Sequence, residues 1–197
     1  MAANKLILYP SQADGPAIDI DELAQRLESI GLIGTAFQCQ GGTRYRAGER
    51  FLQLVSFLGC SPLIELEPPV ETAARESACR EGRFCHVHLA ATGHVIRFRA
   101  STQAPPPRCP HCRQVEARWP DLLQRWETNP DHSQWTCAEC GHQGRLYDLN
   151  FRRSGGFAHT YIEVWGIFPS EAVPGETLLS TLQQLGGCDW NYMFVSE

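Results

Sequence analysis

The sequence predicts an α+β fold, in which a domain with a mixed or antiparallel sheet carries an inserted four-cysteine module. Strand-like and helix-like segments follow one another with hairpin turns between them, unlike the regular alternation of a doubly wound sheet. The chain has 197 residues, of which 43% are hydrophobic and 20% are charged, so it can bury a core. Residues 146–197 are too few for an independent core. We expect them to pack onto residues 1–103, with the module at residues 104–145.

The first elements form a strand, a helix and a strand pair. Residues 5–9 are a short apolar run closed by a proline, which predicts a strand. In residues 19–31 the leucines recur at helical spacing between an aspartate and a glycine, which predicts a helix. Residues 32–40 and 43–46 predict two strands that pair around a glycine turn.

The next segment predicts two helices, a strand and a hairpin. Residues 48–59 carry four apolar side chains on one helical stripe, and residues 70–81 predict a further helix. Residues 62–66 read as a strand ended by prolines. Residues 84–89 and 94–99 alternate in polarity around a Thr-Gly step, so we expect them to pair as a β-hairpin.

A proline-rich stretch at residues 104–107 marks the boundary before the cysteine module. Beyond it, strands are expected around a Ser-Gly-Gly turn and a helix before a Gly-Gly step. The elements predicted here are helices over 120–126 and 176–185 and strands over 145–152, 159–168 and 190–195.

Two closely spaced cysteine pairs are the strongest chemical signal in the chain. Cys109 and Cys112 stand in C-P-H-C, whereas Cys137 and Cys140 stand in C-A-E-C and are followed by Gly141. Two intervening residues let the chain turn sharply, so that both sulfurs of a pair reach one ion. Gly141 permits the positive φ that such a turn often needs. We therefore predict that the four cysteines bind one metal ion.

The pattern resembles the zinc-ribbon family, which has a C-P-x-C knuckle and a second knuckle of the form aromatic-x-C-x-x-C-G. The first knuckle here is at residues 109–112, and the second begins at Trp135. The resemblance covers residues 108–145 and implies a structural Zn²⁺ site in a small β-rich module, with no activity of its own. Rubredoxin-like proteins share the knuckles and bind iron through four thiolates, so iron is the alternative metal.

Four thiolates complete a tetrahedral shell and leave no position for a catalytic water, so a structural ion is expected. His111 and His142 adjoin ligands and are the alternative donors. The ion would hold a segment too small to fold by burial, because zinc contributes roughly 10–16 kcal/mol in small zinc peptides. Pairs that bind nothing, or that form disulfides, are the other interpretation.

A second candidate site lies at Cys85-His86-Val87-His88. On a strand, His86 and His88 project to one face, where they would ligate another metal ion or line a pocket, while Cys85 points to the opposite face. His94 would lie nearby across the predicted hairpin. The alternative is that these are ordinary histidines on a half-exposed strand.

Five of the nine cysteines remain outside the pairs: Cys39, Cys60, Cys79, Cys85 and Cys188. The odd total and an N-terminal apolar run too short for a signal peptide favour a cytoplasmic protein whose thiols stay reduced. Cys60 would be a nucleophile only with a base nearby, and buried, inert cysteine is the alternative. No apolar run reaches the roughly 18 residues of a membrane helix.

The charge balance argues against nucleic-acid binding. The net charge is −5, and residues 108–153 hold seven arginines against six acidic residues. The three tryptophans of this stretch would either stack bases or build the core of the module. The glycine loop at residues 41–46 looks like a ligand loop but lacks the glycine–lysine spacing of phosphate-binding and dinucleotide-binding loops, so a glycine turn with solvated arginines is the alternative. The pair Arg152-Arg153 is either an anion site or the tip of a hairpin.

These observations predict a zinc-binding protein that is a non-catalytic binding or interaction module, with a protein as its expected partner. The first alternative is a nucleic-acid-associated zinc-ribbon protein. The second is an enzyme with a pocket in the α+β domain that uses His86, His88 or a free cysteine. The third is a redox carrier.

Overall fold

The computed structural model describes residues 3–39, 42–59 and 64–196. These residues form helices and mostly antiparallel sheets, which confirms the α+β prediction. The strands are β1 (Asn4–Pro10), β2 (Ile33–Cys39), β3 (Gly42–Ala47), β4 (Val55–Phe57), β5 (His86–Ala91), β6 (Arg97–Ala100), β7 (Gln134–Thr136), β8 (Gln143–Arg145), β9 (Gly155–Ala158), β10 (Thr160–Trp165), β11 (Ala172–Pro174) and β12 (Trp190–Ser196). The helices are α1 (Ile20–Ser29), α2 (Phe51–Leu54), α3 (Thr72–Arg80), α4 (Trp119–Thr128) and α5 (Glu176–Gly186).

A six-stranded sheet of order β12-β1-β10-β5-β3-β2 forms the centre of the fold, and all of its pairs are antiparallel. The first strand, β1, lies between the late strands β10 and β12, so the two ends of the chain meet in one sheet. The division into residues 1–103, 104–145 and 146–197 stays a prediction.

One face of this sheet packs against α1, α2 and α5. The α1 helix begins where the Asp19 carboxylate accepts hydrogen bonds from the backbone N–H groups of Asp21 and Glu22, each at 2.9 Å. Its Leu23 and Leu27 are then buried against the sheet. The core of this face is completed by Leu6, Leu8, Leu54, Val87, Ile162, Val164, Leu178 and Leu182.

The cysteine module is inserted between β6 and β9, which pair with each other. The entry and exit of the insertion are therefore adjacent, and a bridge between Arg108 and Asn150 continues this pairing. Inside the module, α4 and the β7–β8 hairpin enclose a core that is separate from that of the sheet. Its buried aromatic members are Trp119, Trp126, Trp135, Phe151 and Phe157.

The helix predicted over residues 48–59 is wrong except for a single turn. Helix α2 spans only Phe51–Leu54, and β4 then pairs with β11. Gly48 packs on the chain itself, because a Cβ there would lie 2.3 Å from the Gly31 carbonyl oxygen. Because residues 55–57 pair with the distant strand β11, they form a strand although their apolar residues recur at helical spacing.

The predicted hairpin of residues 84–99 is also wrong. Strand β5 pairs with β3 and β10, whereas β6 pairs with β9 in a different sheet. A turn at Thr92 separates them, in which the Val95 N–H donates to the Thr92 carbonyl oxygen at 3.2 Å. The two segments are adjacent in sequence, but each pairs with strands from other parts of the chain.

The strand predicted over residues 145–152 is wrong as well. After β8 the chain forms a 3₁₀ turn at Leu146–Asp148, in which Asp148 accepts a hydrogen bond from the Arg145 backbone N–H at 2.7 Å. Of the strand predicted at 62–66, the last three residues have no regular structure, and the rest lie outside the described residues. Gly41 and Cys60 lie outside them too. No described helix is long and apolar enough to cross a membrane.

Candidate metal centre

Two tight turns carry the four cysteines. In the first, the Cys109 N–H donates to the Gln114 carbonyl oxygen at 2.9 Å, and Arg113 returns a hydrogen bond to Cys109 at 3.0 Å. In the second, the Gly141 N–H donates to the Cys137 carbonyl oxygen at 3.0 Å. Gly141 has a φ of 69°, as predicted, and Arg113 adopts a φ of 63° at the equivalent place after the first pair.

The four sulfurs form one compact group. Their Sγ atoms all lie within 4.8 Å of one another, with 3.8 Å between Cys109 and Cys140 and 3.7 Å between Cys112 and Cys137. Tetrahedral bonding at a metal–sulfur distance of about 2.3 Å requires sulfur–sulfur edges of about 3.8 Å. The residues therefore fit a four-thiolate metal site, and neither His111 nor His142 belongs to the group.

Backbone amides in the second turn favour a thiolate. The Cys140 and Glu139 N–H groups hold the pKa of Cys137 at about 7, below its ordinary value of 9.0. At Cys112 the Gln114 N–H acts in the same direction, but desolvation and hydrogen bonds to the other sulfurs outweigh it and raise the pKa to about 12. Without a cation, the four neighbouring sulfurs do not all lose their protons, because the thiolate charges repel one another. A bound cation would stabilise all four thiolates together.

Two of the cysteines are buried in the tryptophan core of the module, and two face solvent. Cys109 and Cys137 belong to the core cluster, whereas Cys112 and Cys140 are exposed. Trp135 is also buried there and donates its indole N–H to the Arg145 carbonyl oxygen at 2.9 Å. Trp135 therefore lies in the same buried cluster as Cys109 and Cys137.

The histidines that adjoin the cysteines stack on each other instead of joining the sulfur group. The His111 and His142 rings lie 5.6 Å apart and are nearly parallel, at 5°. His142 also contacts the edge of Trp135, at 6.2 Å between ring centres. The two knuckles therefore meet through their imidazole rings as well as through sulfur.

The second candidate site lies on the sheet face opposite α1 and α5. His86 and His88 share that face of β5, and Cys85 belongs to the core on the other face, as predicted. His88 Nδ1 lies 3.1 Å from Glu163 Oε2 on β10, and Arg99 forms an ion pair with the same carboxylate at 3.0 Å.

Glu163 is the charged centre of this face. Burial would raise the pKa of Glu163, but the His88 hydrogen bond and the positive charges of Arg99 and Lys5 outweigh it and lower the pKa to about 2. Glu163 is not among the residues that the sequence predicts for this site. Its signal was a single acid inside the apolar run of β10.

His86 is fully buried between aromatic rings. It stacks on Trp165 at 5.3 Å, and its Nδ1 lies 3.0 Å from the Phe84 carbonyl oxygen. Burial lowers the pKa of His86 to about 4, with the Arg44 charge acting in the same direction. No second cluster of three metal donors occurs among the described residues, and His94 lies exposed in a turn because the predicted hairpin does not form.

The expectation that all remaining thiols are reduced is wrong for one pair. Cys39 at the end of β2 is joined to Cys79 on α3 by a disulfide. Both residues are buried beside Phe84, and the Cys79 sulfur lies 3.5 Å from His86 Nε2. Folding brings the ends of two elements together here, which sequence spacing does not reveal.

The other free cysteines have no partner group that would activate them among the described residues. Burial raises the pKa of Cys85, which fits the inert interpretation. Cys188 is half-buried after α5.

Comparison with models of known protein families, with curated proteins and with solved structures finds no match to this chain.

Proposed function

We propose that the chain is a zinc-binding protein with a structural ion, and that its role is to bind a partner without catalysing a reaction. The observation that carries this proposal is the sulfur geometry: two opposite edges of 3.8 and 3.7 Å match a four-thiolate tetrahedron, and all four sulfurs lie within 4.8 Å of one another. A filled shell has no position for water or substrate, so the ion acts on the fold and takes no part in chemistry.

The position of the cysteines supports a structural role. Cys109 and Cys137 are buried among the tryptophans, so an ion that joins the knuckles also fixes this core. The core continues into Leu146, Leu149 and Phe151, which lead the chain back to the sheet. Loss of the ion would therefore disorganise the module together with the segment that follows it.

The exposed side of the knuckles supports a binding role. Cys112, Cys140 and His111 are exposed, and Val115 leaves 41% of its surface accessible nearby in the chain. A protein partner is expected to contact this side, because a rigid, metal-held turn loses little conformational freedom on binding.

Elemental analysis and native mass spectrometry of the purified chain test the proposal. We expect one equivalent of zinc, lost in Cys109→Ser and in Cys140→Ser, and retained in the matched control Cys188→Ser. A chain that holds no metal under reducing conditions, yet stays folded with Cys109→Ser, would contradict it. An iron-containing, coloured protein would support the redox carrier instead.

The remaining alternatives can be tested on the same preparation. Salt-dependent gel shifts with mixed DNA and RNA would support the nucleic-acid alternative if binding occurs below physiological salt. A second equivalent of metal that is lost in His86→Ala would support an enzyme with a pocket on the second sheet face.

A further inference from the structure

A cavity of about 710 Å³ lies between the sheet edge and the segment that leaves the cysteine module. The sheet contributes Tyr9 from one face and Trp190 and Tyr192 from the other, around its β12 edge, and Arg152 and Arg153 line the cavity from the segment that follows the module. Small-molecule sites in proteins typically enclose about 300–1,000 Å³ and combine apolar walls with few polar groups. Its lining residues include no cysteine and no histidine, so this cavity is distinct from both sites above.

The two arginines occupy an unusual turn at the cavity wall. Arg152 and Arg153 have φ of 52° and 63°, and the Ser154 N–H donates to the Phe151 carbonyl oxygen at 3.0 Å. Positive φ at both central residues is the pattern of a type I′ turn, which strongly prefers Asn-Gly. Side chains with a Cβ are strained in this region, so local turn chemistry does not favour two arginines here.

Surrounding contacts hold the strained turn in place through its backbone. The Arg152 N–H donates to the Asn150 side chain at 2.9 Å, and the Arg153 carbonyl oxygen accepts a hydrogen bond from Phe194 on β12 at 3.0 Å. Both bonds use backbone groups of the arginines, so the guanidinium groups take no part in them. Backbone strain that is held in place by neighbouring structure is concentrated at functional sites. The strained turn therefore points to a binding function for the two arginine side chains.

The guanidinium of Arg153 lies on the side of the large cavity. It stands 4.4 Å over the ring of Tyr192, which lines this cavity and not the smaller one of about 320 Å³ behind the turn. No residue in the described part of the chain forms an ion pair with Arg152. The one acidic lining residue, Asp148, accepts a hydrogen bond from the Arg145 backbone N–H at 2.7 Å.

The cavity therefore joins two arginines to a tyrosine-rich wall. A phosphate monoester carries a charge of about −1.5 to −2, which matches two guanidinium groups, and a planar guanidinium can donate to two of its oxygens at once. The rings of Tyr147 and Tyr192 are each half-buried and offer faces or edges to a planar group, whereas Tyr9 lines the cavity from the opposite face of the sheet. Burial raises the pKa of Tyr9 to about 12, so this phenol stays neutral beside an anion.

We propose that this cavity binds a small phosphate monoester that carries a planar aromatic ring, of the size of a mononucleotide. The arginine turn receives the phosphate, and the ring lies against Tyr192, beside the Arg153 guanidinium. This goes beyond the proposed function, because it assigns a ligand class to a site outside the knuckles.

Calorimetry on the full, zinc-loaded chain tests the proposal, with adenosine 5′-monophosphate as the probe. Inorganic phosphate and adenosine alone should each bind roughly tenfold or more weakly, because each fills only part of the cavity. The key variant is Arg152→Asn combined with Arg153→Gly, which supplies the preferred turn. It should raise the melting temperature and weaken binding by roughly tenfold or more, a combination that a merely structural role would not produce.

The matched control is Arg75→Gln combined with Arg80→Gln, which removes the same charge from α3, away from the cavity. It should keep the affinity of the parent chain. Equal binding by the turn variant, or binding of a single-stranded RNA hexamer without binding of the mononucleotide, would overturn the proposal. Zinc content is measured in every sample, so absence of zinc with intact binding would count against the proposed function alone.

Discussion

Gly156 leaves room for an aromatic ring that crosses the chain beside the large cavity. A Cβ at this position would lie 2.4 Å from Cζ of Tyr9. The Tyr9 hydroxyl donates to the Gly155 carbonyl oxygen at 3.2 Å, so the ring cannot shift without losing that bond. We therefore expect Gly156→Ala to lower the free energy of unfolding by about 1–3 kcal/mol, as overpacking does elsewhere. Urea unfolding measures it.

Gly59→Ala is the control for this substitution, because no atom of the described residues lies within 4 Å of a Cβ built there. It should leave the free energy of unfolding unchanged or slightly higher. Equal stability of Gly156→Ala and the parent chain would show that Tyr9 is free to move aside.

At the residue scale, the sequence predicts positions whose chemistry is local. The four cysteines that come together and the positive φ of Gly141 both follow from motif spacing. Glu163 could not be assigned a role, because its partners His88 and Arg99 come from other strands. The same holds for the Arg152-Arg153 turn, whose backbone conformation contradicts the preference of its residues.

Strand β5 carries a histidine whose burial makes the stability of the protein depend on pH. Burial lowers the pKa of His86 from its ordinary value of 6.5 to about 4 in the folded chain. Between these values the unfolded chain binds more protons, so the free energy of unfolding falls as the pH falls. Because His86 is fully buried, we expect about 2 kcal/mol to be lost between pH 7 and pH 5. Arg44 and His88 oppose protonation, whereas Glu163 favours it.

The measurement is urea unfolding of the parent chain and of His86→Phe at both pH values. The variant loses the hydrogen bond to Phe84 at every pH, but it should lack the loss that the parent shows on acidification. His132→Gln replaces an exposed histidine of the module and should follow the parent. If the free energy of unfolding falls equally with pH in the parent and in His86→Phe, His86 is not the group responsible for the pH dependence.

The disulfide joins β2 to α3 and closes a loop with a sequence separation of 40 residues. In the loop-entropy model such a crosslink stabilises the folded chain by about 4 kcal/mol. We expect Cys39→Ser combined with Cys79→Ser to lower the free energy of unfolding by about 4 kcal/mol. Urea unfolding of the parent and the variant without reductant measures the difference. Cys188→Ser should have no comparable effect, and an intact mass with every thiol free would contradict the crosslink.

At the element scale, helices were predicted better than strands. Periodicity and end signals lie within a helix, so α1, α3 and α5 were predicted within a few residues. Strands β4 and β6 pair with β11 and β9, which lie more than 50 residues further along the chain. A short strand is stabilised mainly by the strand it pairs with. The residues next to a short strand in the sequence therefore say little about where that strand lies in the fold.

Across the whole molecule, the separate cores of the module and the sheet predict a partial response to metal removal. The module cluster holds Trp119, Trp126 and Trp135, whereas Trp190 belongs to the sheet core. The insertion enters and leaves at one place, between the paired strands β6 and β9. Unfolding can therefore stay on the module side of that pairing.

We expect a strong chelator to shift the fluorescence of the module tryptophans to the red and to remove hydrogen-exchange protection from β7 and β8. Strands β1, β5 and β10 should stay protected, because their core contains no residue of the module. Cys140→Ser should show the same pattern without chelator, and the control Cys188→Ser should need the chelator. Simultaneous loss of protection in the module and the sheet would instead mean that the ion stabilises a single cooperative unit, and the proposed division at residues 104–145 would fail.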